Sequence, residues 1–183
     1  MFDFEPTEEQ KALIDTARRF AKERIIPVAA ECDQKSVFPK DVFVAAHEIG
    51  LVNPCIPSEF GGSGLSDLDM TFITEELAYG CSGICTSMSA NNLAATPIKL
   101  GGSAEQKKKY LGWLAREPIF ATYATTEPAA GSDVAGLQCR AKKEADGSWV
   151  LNGTKCWITN ASFASFYVIF ATENPELKHK GIG

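Results

Sequence analysis

Two stretches of this chain carry residue types suited to chemistry. The first runs from Tyr123 to Gly136 and holds Thr125, Thr126, Glu127, Gly131, Ser132 and Asp133. A turn at Gly131-Ser132 can aim backbone N–H groups at an anion, with the Ser132 hydroxyl as a further donor. Such a concavity binds phosphate without a lysine. Gly, Ser, Asp and Pro are equally the residues of an ordinary polar turn, and residue types alone leave both readings open. The second stretch runs from Asn152 to Asn160. Asn152-Gly153 is a tight-turn pair. In a strand after it, Trp157 and Thr159 share one side, because side chains alternate. A wide aromatic face beside a hydroxyl suits a flat, hydrogen-bonding heterocycle. A core tryptophan beside a strand-forming threonine is the other reading. No GxGxxG and no GxxxxGK[ST] occurs, so a Rossmann or P-loop nucleotide site has no support.

The elements that must position these stretches fall into two kinds. Up to about residue 115 one pattern repeats: a cap, an amphipathic run, a breaker. Thr7 to Gln10 is a capping box, after which Leu13, Ala17, Phe20, Ala21 and Ile25 share a helix face. Pro27 interrupts that helix. Pro39 suits a first turn, and Val42, Phe43, Ala46 and Ile49 run on to a stop at Gly50. Ser66 caps a third helix burying Met70, Ile73, Leu77 and Ala78 and ending before Gly80. A fourth helix is predicted over about 82–95, and a fifth opens with the box Ser103 to Gln106 and reaches about 115. Beyond Pro118 the period changes. Strands are predicted over 119–125, over 150–152 after the hairpin pair Asp146-Gly147, and over 166–172.

The reading is therefore an α+β chain: an antiparallel helical bundle over 1–116, then an incomplete antiparallel β-domain over 117–183. The net charge of -5, with scattered basic residues, argues against nucleic acid. Lys107-Lys108-Lys109 reads as a solvated helix face. Six cysteines include no CxxC, and His47 and His179 have no partner spacing, so neither a zinc site nor a disulfide framework is expected. No apolar run approaches the length of a membrane span. The acidic opening Met1 to Pro6 is neither a signal nor a transit peptide pattern.

Along its whole length the sequence resembles the acyl-CoA dehydrogenase family, nearest its short- and medium-chain members. The resemblance is carried by Thr7 to Gln10, Ile56 to Gly64, Glu75 to Ala78, Thr126-Glu127-Pro128 with Gly131-Ser132-Asp133, and Trp157 to Asn160. It implies an FAD-dependent oxidoreductase of fatty acid β-oxidation that removes an α-proton and a β-hydride from a short- or medium-chain acyl-CoA. The implied cofactor contacts are Tyr123, Ala124, Thr125, Thr126, Gly131, Ser132, Trp157, Ile158 and Thr159. Tyr123, Thr125 and Thr126 line the isoalloxazine, Ser132 meets the pyrophosphate and the acyl-CoA path, Trp157 forms an aromatic wall, and Thr159 lies near flavin N5. Cys85, Thr86 and Ser89 match the acyl-pocket wall, although small residues also make a plain helix–helix seam. Ala129 stands where relatives often carry Gly, which strains the loop if that position needs a left-handed backbone.

The resemblance also implies a C-terminal four-helix domain absent here, and a catalytic base expected beyond Gly183. Glu75, Glu76 and Glu127 read as structural. The family implies an electron-transfer flavoprotein as electron acceptor and a homotetramer for the full-length protein, in the cytoplasm of a bacterium or the mitochondrial matrix of a eukaryote. A non-catalytic flavin- or acyl-CoA-binding remnant, an interaction module, and an acyl-CoA oxidase, nitroalkane oxidase or flavin monooxygenase on the same scaffold are the competing readings.

Overall fold

Thr7 starts the first helix through a reciprocal cap. Its hydroxyl accepts from the Gln10 N–H at 3.2 Å while its own N–H donates to the Gln10 side chain at 3.0 Å. The computed structural model describes residues 5–183, so most of the acidic opening, Met1 to Phe4, lies outside the described residues. Helix α1 is Glu8–Phe20, and the predicted apolar face is buried: Ala17, Ala21 and Ile25 are fully enclosed and Phe20 nearly so. The expected interruption at Pro27 takes a specific form. The turn Ala21–Ile25 widens into a π-helical segment, and α2, Ile26–Lys35, follows with Pro27 in its first turn. Proline lacks the N–H that a regular turn would use there, and a widened turn absorbs the mismatch.

Helix α3, Lys40–Glu48, starts after Pro39, and α4, Asp67–Gly80, starts from a second reciprocal cap between Ser66 and Asp69. Helix α5, Ser82–Gly101, runs past its predicted end near 95 and through Pro97. The carbonyl that Pro97 leaves without a helical partner belongs to Leu93, which is exposed and open to water. Ser103 and Gln106 cap a last helical run made of α6 Ala104–Gln106, a π-helical turn Lys107–Leu111 and α7 Gly112–Arg116. Helix α4 packs on both α1 and α5. A Cβ on Gly80 would meet Ile25 Cγ2 at 3.0 Å, so glycine permits that close approach. Ser66→Ala removes the acceptor for the Asp69 N–H and the partner of its carboxylate. The expected cost is about 1 kcal/mol, read as a lower urea midpoint at unchanged slope. An unchanged midpoint would show that the cap contributes nothing.

The chain divides into two compact units, one ending at Phe120 and one spanning Ala121–Gly183. Phe120 belongs with the helices because its ring packs on Phe43 at 3.9 Å and on Phe38 at 5.1 Å between centroids. Strand β1, Phe120–Ala124, runs into the second unit from its first residue onward and pairs with β4, Ala164–Ile169. Strands β2 Arg140–Lys143 and β3 Trp149–Asn152 form an antiparallel hairpin with Arg140 opposite Asn152. Its turn carries Gly147 at φ 86°, and the Asp146 carboxylate accepts from the Ser148 N–H and hydroxyl. The predicted strand 166–172 is displaced: β4 begins and ends earlier, and Thr172 makes isolated bridges to Arg140 and Ile182.

The strand expected to align Trp157 with Thr159 does not form. The chain leaves the hairpin after Asn152. Gly153 passes so close to Cys139 that a Cβ would lie 2.7 Å from its Cα. The Cys156 N–H donates to the Thr126 carbonyl, and Trp157 and Asn160 turn left-handed at φ 57° and 63°. Backbone groups spent on the neighbouring loop, with two reversals of hand, leave no ladder along which side chains could alternate.

Candidate functional site

The loop after β1 is held by one buried carboxylate. Glu127 pairs its backbone with Ala130 in both directions, closing a tight turn at the loop's start. Its side chain reaches forward to the loop's end, where Oε2 accepts from the Gln138 N–H at 2.7 Å and Oε1 from the Cys139 N–H at 2.9 Å. Lys155 Nζ also donates to Oε1 at 2.9 Å and to the Thr125 carbonyl at 2.8 Å. Both side chains are buried, the lysine less completely. Burial alone would raise the Glu127 pKa, but the Gln138 N–H, the Lys155 ammonium and the Cys139 N–H together hold it below the ordinary carboxylate range.

The same contacts bring the two chemistry-bearing stretches together. Thr125 meets Lys155, Thr126 meets Cys156, and the Thr122 hydroxyl donates to the Thr159 carbonyl at 3.1 Å. Tyr123 is half-buried, its ring 4.8 Å from that of Phe170. Ala124 and Thr125 are buried, and Thr126, Ile158 and Thr159 are half-buried. The buried Thr125 hydroxyl has no hydrogen-bond partner within the described residues. Gly131 and Ser132 lie exposed at the loop's outer bend. Gly131 does not adopt the left-handed backbone that an alternating nest requires, so the expected turn of converging N–H groups does not take that form. Ala129 is not left-handed either, so the strain expected of an alanine in that conformation does not arise.

Trp157 is 91% exposed, which removes the core-tryptophan reading. Bulky residues rarely adopt φ 57°, and a strained backbone of this kind is kept where the surroundings over-determine it. The contacts of Lys155 and Cys156 immediately before it supply that determination. The residues that residue-type reasoning passed over are Lys155 and the clasping role of Glu127. A lysine three residues past Asn152 beside a Thr-Glu-Pro stretch was the available signal, and it lacked a way to show that the two segments meet.

The remaining candidates sit in the helical unit, on α5. Cys85 is buried, its thiol donating weakly to the Thr74 carbonyl of α4 and touching the Ser89 hydroxyl at 3.9 Å. Burial pushes the thiol pKa up. The exposed Thr86 hydroxyl donates to its own helix at Ser82, and Ser89 is half-buried. Among the carboxylates, Glu76 accepts a forked pair from Arg18 at 2.6 and 3.0 Å, and Glu75 is exposed on α4. Among the described residues no cluster of His, Cys, Asp or Glu could hold a metal, and no helix is long and apolar enough to cross a membrane.

Comparison with known proteins finds one family over nearly the whole chain. The family model described as acyl-CoA dehydrogenase, N-terminal domain, matches residues 7–118, and acyl-CoA dehydrogenase, middle domain, matches 122–183. A probable medium-chain specific acyl-CoA dehydrogenase, mitochondrial, of Caenorhabditis briggsae is 42% identical over 175 residues, covering 96% of this chain and 43% of its own length. The butyryl-CoA dehydrogenase structure from Megasphaera elsdenii superposes with a TM-score of 0.92 at 31% identity, covering 99% of this chain and 48% of that one. An acyl-CoA dehydrogenase complexed with FAD from Bacillus anthracis gives 0.86 at 33% identity, over 94% of this chain and 30% of that one. The chain thus spans about half or less of the length of the relatives it matches.

Proposed function

Because this chain belongs to the acyl-CoA dehydrogenase family of flavoprotein oxidoreductases, we propose that it forms one wall of an FAD site for α,β-dehydrogenation of a short- or medium-chain acyl-CoA. The observation that carries this reading is Trp157: an exposed tryptophan in a strained backbone, held beside the Tyr123–Ser132 loop by Lys155 and Cys156. A large apolar ring left in water at a conformational cost calls for a flat partner. The Thr125 hydroxyl, buried without a partner, calls for a polar one, since an unpaired buried hydroxyl costs free energy. An isoalloxazine is both flat and polar at its edge.

In this reading Tyr123, Ala124, Thr125 and Thr126 line one side of the ring, Trp157 and Ile158 supply an apolar surface, and Thr159 offers a hydroxyl near N5. Gly131 and Ser132 reach the pyrophosphate, and Ser132 also borders the acyl-CoA path. Cys85, Thr86 and Ser89 on α5 are proposed acyl-chain contacts. When bound, FAD supplies the acceptor for the hydride leaving the substrate's β-carbon. The α-carbon loses a proton to a carboxylate, and the electron pair left there forms the new double bond. We propose that this carboxylate is none of Glu75, Glu76 and Glu127, because Glu76 is engaged by Arg18, Glu127 by its clasp, and Glu75 stands on the outer face of α4. Electron-transfer flavoprotein as acceptor and a tetrameric assembly are proposed on the same family basis.

The test is to titrate the 183-residue chain with FAD and follow flavin fluorescence and visible absorption. Quenching with weak affinity is expected, since a handful of hydrogen bonds at about 0.5–1.5 kcal/mol each must offset the freedom lost on association. Trp157→Ala should weaken that binding further, by about tenfold, through lost stacking area. Absence of any flavin response would overturn the reading. Equal affinity for the variant would remove Trp157 from the site. Reduction of the bound flavin on adding butyryl-CoA would show that a base lies among the carboxylates excluded above.

A further inference from the structure

The flavin contacts leave one feature unexplained: a buried ion pair behind the loop. Glu127 and Lys155 are themselves withdrawn from solvent, yet between them they engage three backbone groups on two segments. Their exposures are 4% and 12%. Holding the fold together would not demand charge here, because apolar residues of similar volume stabilise a buried position at least as well as an ion pair. What the pair supplies is direction. The carboxylate fixes the loop's exit at Gln138 and Cys139, while the ammonium bridges back to the Thr125 carbonyl at its entry. Between these points Gly131, Ser132 and Asp133 are exposed, and only the short turn Val134–Gly136 has regular structure. Buried Ala130 and Leu137 anchor the loop's interior, and the exposed residues between them depend on how its two ends are fixed.

We propose that Glu127 and Lys155 are the positioning residues of the flavin-binding loop, setting Thr125, Thr126 and Ser132 in the arrangement the cofactor meets. The inference rests on the flavin-binding reading above. Functional groups need supporting contacts that fix their geometry, and here those contacts come from one carboxylate–ammonium pair whose hydrogen bonds end on the loop's own backbone.

The test uses the whole 183-residue chain, wild type and the variants Glu127→Gln and Lys155→Met, with FAD as the probe. Amide hydrogen exchange reports the clasp, and flavin fluorescence reports binding. In both variants exchange at Gln138 and Cys139 should rise about tenfold or more, since their N–H groups lose a charged acceptor or its partner. Amides in the middle of α4 and α5 should keep their wild-type rates. FAD affinity should fall about tenfold alongside. A folded variant with loosened Gln138 and Cys139 amides but wild-type FAD affinity would overturn the proposal, leaving the pair a role in stability alone. Unchanged exchange at both amides would overturn it too. If Glu127→Gln fails to fold, Lys155→Met and the wild type decide: added FAD should slow Gln138 and Cys139 exchange in the wild type, and no slowing counts against the proposal. A wild-type chain with no flavin response overturns the function itself, an outcome distinct from a wild type that binds and variants that bind equally.

Discussion

Glu127→Ala is expected to destabilise the chain by about 3–5 kcal/mol, the range for removing one partner from a buried ion pair. Three donors lose their acceptor at once: the N–H groups of Gln138 and Cys139 and the Lys155 ammonium. The lysine keeps only the Thr125 carbonyl. Urea unfolding at neutral pH measures the loss. A cost under about 1 kcal/mol would show that water replaces the carboxylate and that the site is wetter than the structure indicates. The pH dependence has a fixed sign. Glu127 is held below its ordinary pKa in the folded chain, so its stabilisation is fully present above the unfolded value, about 4.3, and disappears as pH falls through the folded value. The stability gap between wild type and Glu127→Ala should therefore be constant from neutral pH to about pH 5 and narrow as pH falls further. A gap that widens on acidification would mean that the folded pKa is raised, against the contacts observed.

The helical unit was largely legible in the sequence, and the reasons are local. Caps at Thr7, Ser66 and Ser103 and a 3.6-residue apolar period need no distant partner to be recognised, and each predicted cap is present. Where local rules met competing ones the bounds moved. Proline interrupted the first helix at Pro27 by widening the turn before it, yet the same residue type was tolerated at Pro97, where the residue whose carbonyl is freed, Leu93, is exposed. The β unit was less legible because its contacts are made between segments far apart in sequence. The Trp157–Thr159 stretch has strand-forming residues, but the backbone partner of Cys156 is Thr126, thirty positions back, and that contact outweighs propensity. The same distance hid Lys155. Ser132 and Trp157 could be named as candidates from their chemistry and Thr126 from the family resemblance, while the carboxylate proposed to position Thr126 and Ser132 could not, since only the fold shows a glutamate reaching over its own loop.

Gly62→Ala is expected to cost about 3 kcal/mol or more, although Gly62 lies far in sequence from any candidate cofactor residue. The segment from Pro54 to Leu65 is a knot of backbone hydrogen bonds. Phe60 and Gly62 N–H groups both donate to the Pro57 carbonyl, Gly64 donates to Ile56 and Leu65 to Pro54. At its centre the side chain of Ile56 is buried. A Cβ on Gly62 would stand 2.0 Å from the Ile56 carbonyl oxygen and 2.6 Å from its carbonyl carbon and Cβ. No side-chain rotation relieves a clash with backbone. Moving the Ile56 carbonyl away breaks its bond to Gly64, and moving Gly62 breaks its bond to Pro57, so either relaxation sacrifices a hydrogen bond as well as packing. Gly50→Ala is the control. Gly50 sits at φ 76° with nothing within 4 Å of an added Cβ, so alanine there meets only the left-handed backbone penalty of about 1 kcal/mol. Thermal and urea unfolding of the two variants side by side separate a steric cost from a conformational one. Equal losses at the two positions would mean that the Ile56–Gly62 approach is not as close as the structure has it. A greater loss for Gly62→Ala, with a matching rise in amide exchange at Gly64 and Leu65, would tie the cost to the knot.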